Sequence, residues 1–306
     1  MEVPLSFEGV IVPVVTPFSL EGALDPEGLQ AQLGWLSGKG LAGIVALGST
    51  GEAVLVSREE RRLVIEICAS LKEEGTVLVA GTGAESTADS IALARDAAEL
   101  GADALLVVTP SYYRAQMTSR ALCDHYVAVA DDSPVPLLLY NMPESTGIHL
   151  PSEAAEELSA HPNIAGLKDS SGDLRSLHLF LGCTPPDFRV LTGSTLILGA
   201  SAGAGAAGAI LAMGNVAPEL CVELFEAGRT GDMDRVLGLQ PQLGFLTRAI
   251  QGAYGIPGIK AAVDLLGGRG GAVRSPLQPL TDEDRAAVAA ALEEGGLTHR
   301  QPRAGA

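Results

Sequence analysis

The chain has little of what marks several large functional classes. Its four cysteines, Cys68, Cys123, Cys183 and Cys221, are dispersed and form no C-x-x-C pair, so the spacing suggests neither a zinc ribbon nor a dithiol redox centre. They read as small core residues. No block of Lys or Arg offsets a net charge of −17, which argues against nucleic acid or an anionic membrane surface as a partner. Charged residues make up only 19% of the 306 positions and hydrophobic residues 47%; that balance excludes a disordered, solvating chain and supports a large core. The N-terminus, MEVPLSFEG, has neither a basic n-region nor an apolar h-region. The most apolar tract, Gly199 to Met213, is too short and too glycine-rich to span a bilayer. The expected setting is cytoplasmic and the expected partner a small molecule.

Lysine is also scarce. Four lysines (Lys39, Lys72, Lys168, Lys260) stand against sixteen arginines, so lysine is not spread here as generic surface charge. One of the four ends an apolar run, in NIAGLKDSSGD (163–173), although lysine is among the residues least often buried. That position asks for a chemical reason.

What the sequence does contain is alternation. Eight short apolar, β-branched runs, VIVPVV, GIVAL, TVLVAG, ALLVVTP, PLLLYN, IAGLK, RVLTG and GAILA, are strand candidates. Helical patterns separate them, among them Arg58 to Lys72 with Leu63, Val64, Ile67 and Leu71 on one face, and Ser86 to Leu100. Ser57 and Ser86 are placed to cap them. Alternating strand and helix implies parallel pairing through right-handed crossovers, and eight such units in about 250 residues are what a (β/α)₈ barrel requires. An open, doubly wound sheet is the competing architecture. The barrel is expected over 1–228. Three further helices, in 229–306, form an appendage packed on it, and the tail THRQPRAGA is expected to fray.

A barrel carries its chemistry at the C-terminal ends of its strands. Strand two ends in GSTGE (Gly48 to Glu52), strand four in TPSYY (Thr109 to Tyr113), strand five in Tyr140, strand six in Lys168 and strand seven in Gly193 and Ser194. Each has an ordinary explanation taken singly: Lys168 snorkels, Tyr140 caps the core, GSTGE is a simple turn. Their convergence on one rim is harder to explain that way. Desolvation favours the neutral amine of a lysine, which can then attack a carbonyl. Lys168 thus has the setting for a Schiff base. Tyr140 can shuttle protons for the carbinolamine and imine steps, and the backbone N–H groups and hydroxyls of Ser49 and Thr50 can hold a substrate carboxylate. The run Gly203, Gly205, Gly208 spells G-x-G-x-x-G but precedes a strand, so it lacks the context of a dinucleotide site and reads as a small-residue helix packing closely on the barrel. The five histidines have no ligand spacing, which disfavours a metal-dependent aldol reaction. No metal or separate cofactor is expected.

The motifs GSTGE, TPSYY, YNMPESTG, GLKDSSGD and GIPGIK, in this order and spacing across nearly the whole chain, resemble the dihydrodipicolinate synthase and N-acetylneuraminate lyase family of class I, pyruvate-handling barrels. The resemblance implies that Lys168 forms an imine with pyruvate or a related 2-oxo acid and that Tyr140 is the acid/base beside it. It implies that GSTGE, with Ser49, Thr50 and Gly51, binds the carboxylate, and that Thr50 links Tyr140 to Tyr112. Tyr112 falls on a relay tyrosine that the family takes from a neighbouring subunit, and the carbonyl of Ile210 falls beside the imine. A homo-oligomer, a dimer of dimers, is implied with it.

Departures within the resemblance separate its branches. The family's synthases carry an arginine where this chain has Ser145, and its sialic acid lyases carry acidic residues where this chain has Ser194 and Thr195. The TPSYYR loop, the lysine strand with Ser170, and LTGS look most like the 4-hydroxy-2-oxoglutarate aldolase branch, while Thr50 itself is synthase-like. The branch expected is therefore the 4-hydroxy-2-oxoglutarate aldolase, with the synthase, a sugar-acid lyase and a non-catalytic 2-oxo acid binding protein as alternatives.

Overall fold

A computed structural model describes residues 6–297; the tail 298–306 lies outside the described residues. Eight strands, β1 (Gly9–Pro13), β2 (Gly43–Ala46), β3 (Val77–Gly81), β4 (Ala104–Val108), β5 (Leu137–Asn141), β6 (Ile164–Asp169), β7 (Arg189–Thr192) and β8 (Gly208–Ile210), pair in sequence order and close into a parallel barrel. Each falls on one of the eight apolar runs, β1 starting one residue before its run and β6 ending one residue after it. The last pairing, Ile11 with Ile210, seals it, so the open-sheet alternative falls. Nearly every strand residue is buried, as a sheet covered on both faces demands.

The crossovers are α1 (Pro26–Leu36), α2 (Arg58–Leu71), α3 (Thr87–Glu99), α4 (Ser119–Asp132), the four-residue α5 (Pro143–Thr146), α6 (Ser152–Ser159), α7 (Leu174–Cys183), α8 (Leu198–Gly203) and α9 (Pro218–Thr230). Both expected caps form. Ser57 Oγ accepts from Glu60 N while Glu60 accepts in return from Ser57 N at 3.0 Å, a capping box that satisfies two otherwise orphaned donors; Ser86 Oγ accepts from Asp89 N at 3.0 Å. The glycine-rich stretch before β8 does act in packing, since a Cβ on Gly228 of α9 would overlap the Gly199 carbonyl of α8.

Beyond the barrel come α10 (Met233–Leu246), α11 (Ala253–Leu265) and α12 (Asp282–Glu294). A π-helical segment, Thr247–Gly252, carries α10 into α11. Thr247 Oγ1 bonds back to Leu243 O at 2.7 Å, a local competitor for the regular helical ladder. The real bend falls at Gly255 (φ 59°, ψ −140°), two residues before Pro257. These helices share one apolar cluster with α8, α9 and β1, including Val10, Leu198, Phe225, Leu243, Ile250 and Ile259. A second cluster lies between the strands and the earlier helices, and a third fills the barrel interior with Phe7, Ile11, Val45, Val79, Leu106, Tyr140, Leu191 and Ile210. Among the described residues no helix is long and apolar enough to cross a membrane.

Candidate active site

The pleat and register of β5 and β6 create the centre of the site. Tyr140 is the register partner of Lys168, and the next pair along is Asn141 with Asp169. Successive strand residues face opposite ways, so turning one pair into the barrel turns the other outward. The outward pair is locked: Asn141 Nδ2 donates to Asp169 Oδ1 at 2.7 Å, Leu150 N to Asn141 Oδ1 at 2.9 Å, and Ser171 N and Oγ to the Asp169 carboxylate at 3.0 and 2.8 Å. These bonds fix both strand ends.

The inward pair is then held face to face. Lys168 is 5% and Tyr140 4% exposed, and the Lys168 Nζ lies 4.1 Å from the centroid of the Tyr140 ring. Among the described residues the other three lysines each pair with a carboxylate, Lys39 with Glu219, Lys72 with Asp103 and Lys260 with Glu52; Lys168 has none. Burial alone would raise the Tyr140 phenol, but the positive charge of Lys168 and hydrogen bonding with Ser49, Lys168 and Ser170 outweigh it and bring the phenol below its usual value of 10. Gly193, at the end of β7, makes room: a Cβ there would overlap the Ser170 hydroxyl and stand 3.0 Å from Lys168 Cε. Ile210 is buried in the same interior cluster as Tyr140.

The loop after β2 brings the hydroxyls. Ser49–Gly51 form a single 3₁₀ turn, bracketed by Leu47 (φ 59°) and Glu52 (φ 55°), the two non-glycine residues with positive φ among the described residues. Left-handed backbone costs a non-glycine residue about 1–2 kcal/mol, and such strain gathers at functional loops. Interactions around the turn offset it. Thr16 Oγ1 donates to Gly51 O at 2.8 Å, and the buried Glu52 carboxylate pairs with Lys260 and accepts from Arg274 N at 2.8 Å. Burial pulls the Lys260 ammonium below its ordinary pKa, with the Glu52 charge pulling the other way. A cavity of about 210 Å³, lined in part by Leu47, Ser49, Leu106, Tyr140 and Ser145, opens beside the turn.

The profile of the dihydrodipicolinate synthetase family matches residues 6–295. The chain is 36% identical over 281 residues to a 4-hydroxy-tetrahydrodipicolinate synthase of Methanothrix thermoacetophila, covering 92% of this chain and 94% of the relative. This chain belongs to the dihydrodipicolinate synthetase family. It is a lyase of the family's pyruvate-dependent class I aldolase type. It is also 36% identical over 301 residues to a probable mitochondrial 4-hydroxy-2-oxoglutarate aldolase of Emericella nidulans, with 96% of each chain covered. A solved structure of the Escherichia coli K12 prophage protein YagE, of the dihydrodipicolinic acid synthase family and in complex with pyruvate, superposes with a TM-score of 0.89 at 30% identity over 95% of this chain and 99% of that one.

Within this family member, Lys168, Tyr140, Ser170 and Gly193 meet at the barrel mouth, with Ser194 following Gly193. Of the two hydroxyls in the turn, that of Ser49 helps lower the Tyr140 phenol and lines the same cavity, while the buried Thr50 has no hydrogen bond to Tyr140 among the described residues. Tyr112 is 78% exposed, edge-on to Tyr113 at 5.0 Å, and makes no hydrogen bond to Tyr140 in its own chain. Glu85 holds that loop, accepting from Ser111 N at 2.9 Å and Tyr112 N at 2.8 Å. Sequence reasoning gave no role to Glu85, Glu52 or Lys260, nor to Met142, whose sulfur receives the Tyr140 hydroxyl. Lys260 had a usable signal: it is a rare lysine set among Ile259, Ala261, Ala262 and Val263.

Proposed function

We propose that the chain is a Schiff-base aldolase whose imine forms on Lys168, with pyruvate as the ketone partner, and that its substrate is of the 4-hydroxy-2-oxoglutarate type. The observation that carries this reading is the isolation of Lys168: buried, without a carboxylate partner and set against a phenol. The neutral amine adds to the C2 carbonyl of the 2-oxo acid, the carbinolamine loses water, and the protonated imine takes up the electron pair released when the C3–C4 bond breaks. Tyr140 carries protons for these steps. It accepts the proton of the C4 hydroxyl as that carbon becomes an aldehyde, and the enamine is reprotonated at C3 before water releases pyruvate. The turn Ser49–Gly51 holds the C1 carboxylate through backbone N–H groups and the Thr50 hydroxyl. Ser49, and not Thr50, connects Tyr140 to the relay. No metal or separate cofactor takes part in this scheme.

Tyr112 belongs to the relay of a neighbouring subunit in a homo-oligomer, a dimer of dimers. Its exposure beside Tyr113 supports this. The choice of branch rests on Ser145, which lines the cavity where the synthases carry an arginine, and on Ser194 and Thr195. The second reading, condensation of pyruvate with aspartate semialdehyde, has support in the 36% identity to a named synthase. Cleavage assays on 4-hydroxy-2-oxoglutarate, N-acetylneuraminate and 2-keto-3-deoxy sugar acids, beside synthase assays on aspartate semialdehyde, test the choice. Efficient synthase turnover by the unaltered chain would overturn the branch. Ser145→Arg is expected to raise synthase activity, because a guanidinium grips a carboxylate in two-pronged fashion and a hydroxyl does not.

A further inference from the structure

The second buried lysine, Lys260, is assigned no part in the chemistry above, yet its surroundings are built with care. Its side chain is almost wholly buried, and its three donors are all taken: by Glu52 Oε1, by Thr16 O at 2.7 Å and by Ala272 O at 2.6 Å. The ammonium also stands 4.7 Å from the centre of the Phe18 ring, with the Arg274 guanidinium 4.1 Å from the same centre. An ammonium has three protons and no acceptor, so nothing is left over for a substrate. This lysine is saturated by the protein.

What it touches is the β2 loop. Glu52 follows the Ser49–Gly51 turn and has left-handed backbone, so its side chain is the handle on the turn's far end. Thr16, whose carbonyl accepts from Lys260, donates its own hydroxyl to Gly51 O. The ammonium therefore reaches the turn by two routes. Arg274 extends the hold to α2, bonding Leu55 O at 2.8 Å, Gly22 O at 2.7 Å and both Glu60 oxygens at 2.6 and 2.7 Å. A segment 208 residues away in sequence thus closes over the loop that carries the carboxylate-binding groups.

We propose that Lys260 is a positioning residue which, through Glu52 and Thr16, keeps Glu52 in its left-handed backbone and the Ser49–Gly51 turn in place, so that the C-terminal helices form a working part of the 2-oxo acid site. The proposal rests on the reading of Lys168 as the imine-forming lysine. Without the pair, the Glu52 backbone relaxes toward right-handed values and the turn moves with it. Displacements of about 1 Å at groups that orient a substrate can cost ~10²-fold in rate.

The test separates positioning from plain stability. Pyruvate with borohydride traps the imine, and the pyruvate concentration giving half-maximal adduct on Lys168, read by peptide mass spectrometry below each variant's melting transition, reports the turn. Lys260→Met and Glu52→Gln are expected to raise that concentration about tenfold or more, a loss confined to substrate binding, while Lys72→Met leaves it unchanged. If the folded variants trap at the same concentration as the unaltered chain and differ only in melting temperature, the pair is merely structural and the proposal fails. Should both variants fail to fold, hydrogen exchange on the unaltered chain decides: pyruvate is expected to slow exchange at residues 270–274 as well as 48–52. Slowing at 48–52 alone would overturn the clamp. No adduct on Lys168 in the unaltered chain would remove the imine reading itself and the clamp with it.

Discussion

Two of the four lysines are buried, and they are held in opposite ways. Lys260, at 1% exposure, has a carboxylate, two backbone carbonyls and an aromatic face around it. Lys168, at 5%, has a tyrosine ring, a glycine that leaves space, and no carboxylate. A buried ammonium without a partner is costly, and a stable fold has no use for one unless the amine is to react. The first arrangement consumes the lysine's hydrogen-bonding capacity in holding the chain together. The second leaves the amine without a carboxylate, beside the phenol. Burial alone therefore says little about what a lysine does; the partners around the nitrogen say more.

Substitution separates the two roles. The largest effect is expected for Lys168→Ala, which removes the proposed nucleophile and is expected to lower turnover on the order of 10⁴-fold or more with little loss of melting temperature; a melting loss as large as that of Lys260→Ala would erase the distinction. Tyr140→Phe comes next, at about 10²–10³-fold in kcat. Because the charge of Lys168 and its hydrogen bonds overcome the effect of burial and bring the Tyr140 phenol below 10, the alkaline limb of the pH–rate profile is expected below pH 10, and Tyr140→Phe removes it. Lys260→Ala is expected to cost about 3–5 kcal/mol of stability by stranding the Glu52 carboxylate, measured by urea unfolding at neutral pH.

The smallest effect lies at the rim of the clamp. Hydrogen bonds from Arg274 hold the Glu60 carboxyl at about 2, down from 4.5, against the opposing effect of burial. A folded value below the unfolded one gives stability that is present above pH 4.5 and is lost as the pH falls toward 2. Glu60 is partly exposed, so screening reduces the contribution. Glu60→Gln is expected to cost about 1 kcal/mol at pH 7, and the difference from the unaltered chain to vanish near pH 2. A difference that persists there would assign the loss to the capping box instead of the charge.

Much of this was legible in the residues. Eight apolar runs separated by amphipathic stretches give the barrel, and Ser57 and Ser86 give two helix starts, because period and capping are local. Lys168 stood out for the same reason: a rare residue at a strand end. Lys260 is just as rare and its apolar neighbours mark it as buried, but its partner Glu52 is distant in sequence and nothing local joins the two. Which of Ser49 and Thr50 stands nearer the phenol was not legible, because adjacent hydroxyls in a turn are told apart by the backbone angles at Leu47 and Glu52, where nothing but glycine would advertise a positive φ. The α10–α11 connection escaped for a related reason: a π-helical segment has no composition of its own, and Gly255 and Pro257 fix only where the bend falls.

The contrast between the two lysines reduces to a single experiment. The unaltered chain is incubated with pyruvate, reduced with borohydride and digested, and each of the four lysines is tested by mass for the reduced adduct. The expected result is an adduct on Lys168, with Lys39, Lys72 and Lys260 unmodified. An adduct on Lys260 with none on Lys168 would mean that the saturated lysine reacts and the free one does not, and it would contradict the roles assigned to both.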